Sequence, residues 1–268
     1  MKELLIDPQK WSAVAASYDQ TARHKLTPFS EEAVRWAELD VDDDVLDVAA
    51  GPGTLTVLAA QRARSVRALD FAPGMVAKLK ENTADMENVS SLVANGQDLP
   101  FDDGVFSAAF SMFGLMFFPD PVAGLREIHR VLRPGGRVVI SSWVPMGESP
   151  MMRPLGSAMR LARPPQPDQP PPEPFAFDSL ESLEEGLRGG GFSEVQVRRF
   201  SPSLPIVDAD SYWRESRGNL FIQHIRETTG PDWDGIESRI VEYLRVALQG
   251  VRALEMPALL GIARKSGV

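Results

Sequence analysis

The first residues able to do chemistry lie where short apolar runs end. Residues 45–56 read VLDVAAGPGTLT, in which an acid, Asp47, precedes two glycines, Gly51 and Gly53, on either side of a proline. A glycine turn after a buried strand allows the backbone to approach a ligand closely. The next apolar run, SVRALD, ends on a second acid, Asp70. Two carboxylates therefore flank the turn, and they restrict which ligand it can bind.

A phosphate-containing ligand fits this turn poorly. A dinucleotide site needs G-x-G-x-x-G, and here Gly53 is followed by Thr, Leu, Thr and Val, so the third glycine is absent. A carboxylate at Asp47 repels pyrophosphate but suits an ammonium and a sulfonium, and Asp70 can accept hydrogen bonds from two ribose hydroxyls. The two acids therefore favour S-adenosylmethionine over a dinucleotide. A tight turn that binds nothing is the remaining alternative.

Alternating apolar and amphipathic segments must position these residues. Stretches such as TVLAAQRA and PVAGLREIHRVL have helical spacing, and they alternate with apolar runs typical of buried strands. This alternation predicts a doubly wound α/β fold with a parallel sheet, in which ligands bind at the carboxyl ends of the strands. The predicted strands are DVLDV (44–48), SVRALD (65–70), VSSLVA (89–94), VFSAAFS (105–111), GRVVISS (136–142), EVQVRRF (194–200) and ALLGIARK (258–265).

The rest of the chain is predicted to cover this core. An N-terminal helical lid (1–40) is expected across the open edge of the sheet, and the α/β core comprises residues 41–207 and 255–268. Between them, DADSYWRESRGNLFIQHI and DWDGIESRIVEYLRVALQ have helical spacing and predict an inserted helical cap (208–254). The proline-dense RPPQPDQPPPEP (163–174) predicts an extended, exposed loop.

Composition limits the class of protein. The 268 residues are 43% hydrophobic and 24% charged, which is typical of a soluble globular protein. The formal charge of -9 argues against a broad nucleic-acid-binding surface, which needs a basic face. The absence of cysteine excludes disulfides and thiolate nucleophiles, and no metal site is predicted. No run approaches the ~18 apolar residues of a membrane span. We therefore expect a cytoplasmic protein that binds neither nucleic acid nor membrane.

Four motifs, in this order, carry a resemblance to a known family. They are LDVAAGPG, ALDFAPGMV, ANGQDLPFDDGVFSAAFSMFGLMFFPDP and LREIHRVLRPGGRVVIS, within residues 45–143. Together they resemble the class I S-adenosylmethionine-dependent methyltransferases, and most of all the small-molecule enzymes of ubiquinone and menaquinone biosynthesis. The resemblance implies a seven-stranded Rossmann-like sheet with an antiparallel last strand.

The resemblance also implies which residues contact S-adenosylmethionine. Gly51 and Gly53 approach its methionine portion, Asp47 lies near its amino group, and Asp70 holds the ribose diol. The other implied contacts are Ala49 in the turn, Phe71 and Met75 against the adenine or ribose, Asn95, Gly96 and Gln97 near the adenine amino group, and Ser111 and Met112 beside the sulfonium.

Three positions depart from the family pattern. Ala49 stands in place of the first glycine of the turn, which a negative φ would tolerate. Asn95 replaces an Asp, but its side-chain carbonyl can still accept a hydrogen bond from an exocyclic amine. Ser107 replaces an Asp at the start of the fourth strand, where we expect a structural role.

Candidate catalytic residues are few. Methyl transfer is an in-line displacement, so the protein mainly holds the reactants and excludes water, and a base is needed only for an acceptor of high pKa. The candidates are Tyr18, which aligns with a tyrosine that reaches cofactor or substrate in similar enzymes, and His24 and His224. His129 is expected to be structural. Phe113, just after the fourth strand, is the candidate for lining an acceptor pocket.

We therefore expect a methyltransferase for a small, apolar or aromatic molecule, acting as a monomer or homodimer, with O-methylation favoured over C-methylation. Three alternatives stay open at this point. They are an RNA- or protein-directed methyltransferase, a cofactor-binding module without catalysis, and a nicotinamide-dependent oxidoreductase.

Overall fold

The computed structural model describes residues 2–162 and 175–267, so the proline-dense segment 163–174 lies outside the described residues. The helices are α1 (Lys2–Leu5), α2 (Pro8–Trp36), α3 (Thr54–Ala60), α4 (Pro73–Asn82), α5 (Pro121–Val131), α6 (Arg153–Ala162), α7 (Leu180–Gly189), α8 (Ala209–Ser216), α9 (Leu220–Thr229) and α10 (Trp233–Ala247). The strands are β1 (Asp44–Val48), β2 (Ser65–Asp70), β3 (Val89–Val93), β4 (Phe106–Met112), β5 (Leu132–Trp143), β6 (Ser193–Phe200), β7 (Ser203–Pro205), β8 (Ala253–Glu255) and β9 (Ala258–Arg264). Within the described ranges, no helix has the length and apolar character needed to cross a membrane.

The main sheet has seven strands in the order β3-β2-β1-β4-β5-β9-β6. The strands from β3 to β5 pair in parallel, and β9 runs antiparallel to both β5 and β6. The predicted doubly wound fold and its antiparallel last strand are confirmed. The strand order reverses between β1 and β4, which in such sheets places the ligand beside the carboxyl ends of these strands.

Six of the predicted strands agree with the structure to within one residue at each end. The fifth is longer than predicted because it begins at Leu132 and continues through the RPGG turn signal. The turn signal is still visible in the backbone, since Gly135 has a φ of 77° and the pairing with β4 shifts register between Phe106 and Ala108. An irregular first turn of β5 thus replaces a separate loop.

Helices cover both faces of the sheet, and β1 shows how the sequence separates them. Val45 belongs to a cluster with Ala33 of α2 and Leu55 of α3, whereas Leu46 belongs to the opposite cluster with Leu125 of α5. Side chains alternate along a strand, so residues two apart share a face. Asp47 therefore points to the side that α2 and α3 cover.

The position of α2 differs from the predicted one across the open edge of the sheet. Helix α2 packs along α3 and α4. Its second half also buries apolar residues, such as Ala33 and Val34, against Val45 of the sheet. The Ser12 Oγ accepts a 3.0 Å hydrogen bond from the backbone N–H of Gly74. Asn82 Nδ2 donates to Asp19 Oδ1 at 3.1 Å and to the Pro52 carbonyl at 2.9 Å. These bonds hold the first half of α2 above the turn between β1 and α3.

A helical cap packs on the same side of the sheet as α2. Helices α6, α8 and α10 contact one another, and their hydrophobic cluster continues into the core through Phe29, Phe113 and Leu260. Neither α6 nor the small β7-β8 sheet was predicted from the sequence. The predicted cap helices of residues 208–254 exist, but they share their apolar core with the α/β core.

The close approach of α2 to α4 leads to a first prediction. A Cβ at Gly74 would lie 2.7 Å from the Cα and the carbonyl oxygen of Ser12. Gly74→Ala should therefore push α2 away and lower the free energy of unfolding by about 1–3 kcal/mol. Gly235→Ala is the control, since nothing lies within 4 Å of that Cβ and alanine favours the helix by up to about 1 kcal/mol. Urea denaturation compares the two variants, and a Gly74→Ala protein as stable as wild type would contradict the packing described.

Candidate functional site

A cavity of about 430 Å³ lies at the carboxyl ends of β1, β2, β3 and β4, where α2 forms the opposite wall. Most of the residues predicted to bind cofactor or acceptor line it. They are Tyr18, Asp47, Ala49, Gly51, Asp70, Phe71, Met75, Asn95, Gly96, Gln97, Met112 and Phe113. The two other cofactor candidates, Gly53 and Ser111, do not line it. The topology of the sheet thus collects side chains from four strand ends around one space.

Asp47 is a buried acid at the base of the cavity. Its side chain sits on β1, the residue is 1% exposed, and its Oδ2 accepts a 2.6 Å hydrogen bond from the Thr56 hydroxyl on α3. Burial raises the pKa of Asp47 to about 7, the Thr56 hydrogen bond lowers it, and the negative charge of Asp70 raises it further. The carboxyl group is therefore poised to ionise when a cation enters.

Asp70 holds the glycine turn as well as facing the cavity. Its Oδ2 accepts from the backbone N–H of Gly51 and its Oδ1 from that of Ala72, each at 2.9 Å. Burial nevertheless raises the pKa of Asp70 to about 6, because these backbone hydrogen bonds only partly offset the loss of water. Each oxygen keeps a further lone pair for a ligand hydroxyl.

The turn between β1 and α3 contains three residues in the left-handed region. Gly51 and Gly53 have φ values of 55° and 91°, as their residue type allows. Ala49 has a φ of 57°, so the negative φ that would make alanine tolerable at this position is not adopted. A left-handed alanine costs about 1–2 kcal/mol. Gly114 makes room for this alanine, because a Cβ at Gly114 would lie 2.4 Å from the Ala49 Cβ.

The carboxyl end of β4 combines a cavity wall with core packing. Met112 lines the cavity, but Ser111 is fully buried and its hydroxyl has no hydrogen-bond partner among the described residues. Phe113 also has a positive φ, of 58°, and its ring stacks on Trp143 with centroids 3.8 Å apart. Only an edge of the Phe113 ring is thus available to a ligand, and most of its surface packs in the core.

The segment after β3 offers polar atoms near the surface. Asn95 is exposed, and its Oδ1 accepts a 3.0 Å hydrogen bond from the backbone N–H of Gln97. The same oxygen can accept a second hydrogen bond from an amine, in line with the role implied for it. Gly96 lets this segment pack closely, because a Cβ there would lie 2.6 Å from the Phe118 ring.

The three catalytic candidates are not brought together. Tyr18 lines the cavity, and burial together with the nearby charge of Asp70 raises its pKa to about 12, so it is a neutral hydrogen-bonding group at physiological pH. His24 lies outside the cavity with its side chain 53% exposed and its Nε2 3.4 Å from Glu215. His224 lines a separate space of about 50 Å³ instead. His129 packs against Phe192, as expected of a structural residue.

Sequence reasoning missed most of the wall that α2 provides. Trp11, Leu26 and Ser30 line the cavity together with Tyr18. Their spacing places them along one side of a long helix, and this periodicity was the available signal. The inserted cap helices were expected to roof the site, but among the described residues none from α8, α9 or α10 lines the cavity.

Comparison with known proteins identifies the family. A methyltransferase domain matches residues 46–140. The chain is 32% identical over 170 residues to demethylmenaquinone methyltransferase of Clavibacter sepedonicus, covering 60% of this chain and 69% of that protein. The protein belongs to the class I S-adenosylmethionine-dependent methyltransferases.

Solved structures show the same fold for this methyltransferase. YcgJ of Bacillus subtilis superposes with a TM-score of 0.59 at 20% identity, covering 88% of this chain and 97% of that one. The cyclase SpnF gives a TM-score of 0.56 at 21% identity, over 90% of this chain and 81% of that one.

The groups that line the cavity fit S-adenosylmethionine, which supplies a methyl group on a positively charged sulfur when bound. The cofactor also carries an ammonium, and Asp47 and Asp70 are the only charged residues among the described ones that line the cavity. A bound cation favours the ionised form of both acids and offsets the cost of burying them. We propose that Asp47 binds the ammonium and that Asp70 accepts hydrogen bonds from the ribose diol.

The buried acids predict how stability depends on pH. The pKa values of Asp47 and Asp70 in the folded protein lie above their ordinary value of 3.8, so between about pH 4 and 7 the folded state holds more protons than the unfolded state. The free energy of unfolding of the cofactor-free protein should therefore fall as the pH rises through this range. Asp47→Asn, which keeps a hydrogen-bond acceptor for Thr56, should be more stable than wild type at pH 7.5, on the order of 2–4 kcal/mol. Denaturant titrations at pH 4.5 and 7.5 measure this, and equal pH slopes for both proteins would contradict it.

The same substitution predicts the opposite effect on binding. Asp47→Asn should weaken the binding of S-adenosylmethionine and of S-adenosylhomocysteine by about tenfold or more. Both molecules carry the ammonium that the carboxylate is proposed to bind. Asp98→Asn is the control, because Asp98 is an exposed acid beside the cavity that does not line it. Isothermal titration calorimetry gives both dissociation constants. Affinities that Asp47→Asn leaves unchanged would remove Asp47 from the site.

Proposed function

We propose that this methyltransferase acts on a small, apolar or aromatic acceptor. The observation that carries the proposal is the wall of the cavity, in which Leu26, Met112, Phe113 and Phe117 surround the space beyond the two acids. A volume of about 430 Å³ is near the lower end of ligand pockets, which span about 300–1,000 Å³, so little room remains beside the cofactor. A small acceptor without charge suits this space.

The protein's own contribution is to hold the reactants and exclude water. Helix α2 closes one side of the cavity and is tied to the turn through Asp19 and Asn82. Tyr18 is neutral, since its pKa is raised to about 12, so it acts by hydrogen bonding and does not take a proton. His24 and His224, the two candidate bases, would have to move to reach the cavity, and we therefore propose a reaction without a histidine base.

We favour oxygen over carbon as the acceptor atom. A hydroxyl on an aromatic ring gives up its proton more readily than a C–H group, and a reaction without a protein base selects such acidic acceptors. The name of the Clavibacter relative refers to demethylmenaquinone, which supports an acceptor with a quinoid ring and does not bear on the choice of oxygen over carbon. We also propose that the protein acts without nucleic acid, in the cytoplasm, as a monomer or homodimer.

A transfer assay with a labelled methyl group tests the proposal. The acceptor panel contains neutral phenols and hydroquinones, aromatic carboxylates, total RNA and a protein extract. Asp47→Asn, which is expected to bind the cofactor more weakly, is assayed beside the wild type. We expect label on neutral aromatic molecules, and mass spectrometry of the product assigns oxygen or carbon. Label on RNA or protein instead would contradict the proposed acceptor class. Cofactor binding without transfer to any member would favour a binding module, a possibility that the cyclase SpnF, which shares the fold, keeps relevant.

A further inference from the structure

Ser30 is the exception among the serine and threonine side chains of α2. Ser12, Ser17, Thr21 and Thr27 each donate a hydrogen bond to a carbonyl three or four residues earlier in the same helix, at 2.7–3.0 Å. Serine and threonine inside helices commonly bond back in this way. The hydroxyl of Ser30 makes no such bond and has no other partner among the described residues.

The position of Ser30 leaves its hydroxyl open to the cavity alone. The residue is 1% exposed and lines the cavity, and its Oγ is not among the fully enclosed atoms without a partner. A ligand that covers this hydroxyl without bonding to it would cost about 1–3 kcal/mol. Since Ser30 borders the ligand space, a bound molecule is the natural partner for its hydroxyl.

Its place along α2 indicates which part of the ligand it meets. Tyr18, whose pKa is raised by the nearby charge of Asp70, is twelve residues earlier than Ser30. The two residues are therefore about 18 Å apart along the helix axis. On the other side, Phe29 contacts Phe113 with ring centroids 5.2 Å apart, which puts this turn of α2 beside the end of β4. Ser30 thus lies at the opposite end of the α2 wall from Tyr18, on the side of the cavity beside β4 where the methionine portion is expected.

The charges of the cavity leave one group of the cofactor without a partner. S-adenosylmethionine carries a carboxylate beside its ammonium, and the described residues that line the cavity include no Lys, Arg or His. Asp47 and Asp70 repel a carboxylate. Neutral hydroxyl donors are then available to bind it, and hydrogen bonds to charged acceptors are about twice as strong as neutral ones. Three hydroxyls without a partner line the cavity among the described residues, those of Tyr18, Ser30 and Thr54. Tyr18 lies near the charge of Asp70 and Thr54 is half-buried, whereas Ser30 is buried against the cavity.

We propose that the Ser30 hydroxyl binds the carboxylate of the cofactor's amino-acid end and so fixes its orientation in the cavity. Ser30 is a positioning residue, since it sets where the methionine portion lies while the acids bind the positive groups. The inference depends on cofactor binding and is independent of the acceptor proposed above.

Binding of two nucleosides tests this assignment without any acceptor. S-adenosylhomocysteine has the amino-acid end, and 5′-methylthioadenosine lacks it. Ser30→Ala should lower the affinity for S-adenosylhomocysteine by about 10- to 100-fold. It should leave the affinity for 5′-methylthioadenosine within about twofold of that of wild type. Ser30→Cys, which keeps most of the volume but is a weak donor, should show the same pattern.

The stability of the ligand-free protein is the second readout. Removing an unpartnered buried hydroxyl should leave the melting temperature unchanged or raise it. Thr27→Val is the matched control, because its hydroxyl is bonded to the Arg23 carbonyl and does not line the cavity. This variant should bind both nucleosides like wild type.

Three results would overturn the proposal. Equal losses for both nucleosides would show that Ser30 acts on the adenosine part or on the whole cavity. Unchanged cofactor affinities with a raised KM for an acceptor would assign the hydroxyl to the acceptor. A lowered melting temperature for both Ser30 variants, with the ratio of the affinities for the two nucleosides unchanged from wild type, would show a structural role.

Discussion

The site depends on two carboxylates that are buried at one edge of a sheet without a protein cation. Asp47 and Asp70 project from neighbouring parallel strands, and burial raises the pKa of both. Asp43 and Asp44, at the other end of β1, show the opposite behaviour. Arginine side chains bind both of them and lower their pKa values. We propose that the ligand supplies the cation for Asp47 and Asp70, since a sulfonium compound with an ammonium group carries it. On this proposal, binding recovers the stability that burial of the two acids costs the free protein.

Backbone geometry keeps these acids in place. The N–H groups of Gly51 and Ala72 donate to Asp70, so the glycine turn is attached to the acid that we propose binds the ribose. Left-handed residues on both sides of the cavity, Ala49 and Phe113, adopt a conformation that non-glycine residues rarely adopt. The close fit of Ala49 against Gly114 links the loops after β1 and β4. The glycine turn, Asp70 and the loop after β4 are thus held together by direct contacts, and α2 covers the cavity between them.

The sequence predicted what depends on local pattern and failed where packing between distant segments decides. The strands and the acids at their ends follow from apolar runs and from the rule that ligands bind at a switch in strand order, so Asp47 and Asp70 could be named in advance. The positive φ of Ala49 could not, because it depends on room that Gly114 leaves for the Ala49 Cβ, 65 residues away along the chain. The positions of His24 and His224 outside the cavity, and of Ser30 inside it, depend on how α2 and the cap pack on the core. No local pattern encodes that packing.

The most direct test is the number of protons released when the cofactor binds. Calorimetry of S-adenosylmethionine binding at pH 6.5, in buffers with different ionisation enthalpies, gives this number without any acceptor or variant. With pKa values of about 7 and about 6 in the free protein, the two acids together hold about one proton at this pH, and the cation should displace most of it. Binding that becomes tighter as the pH rises from 5.5 to 7.5 should accompany this release. Binding without proton release, or with proton uptake, would show that these carboxyl groups do not neutralise the cofactor and would contradict the account.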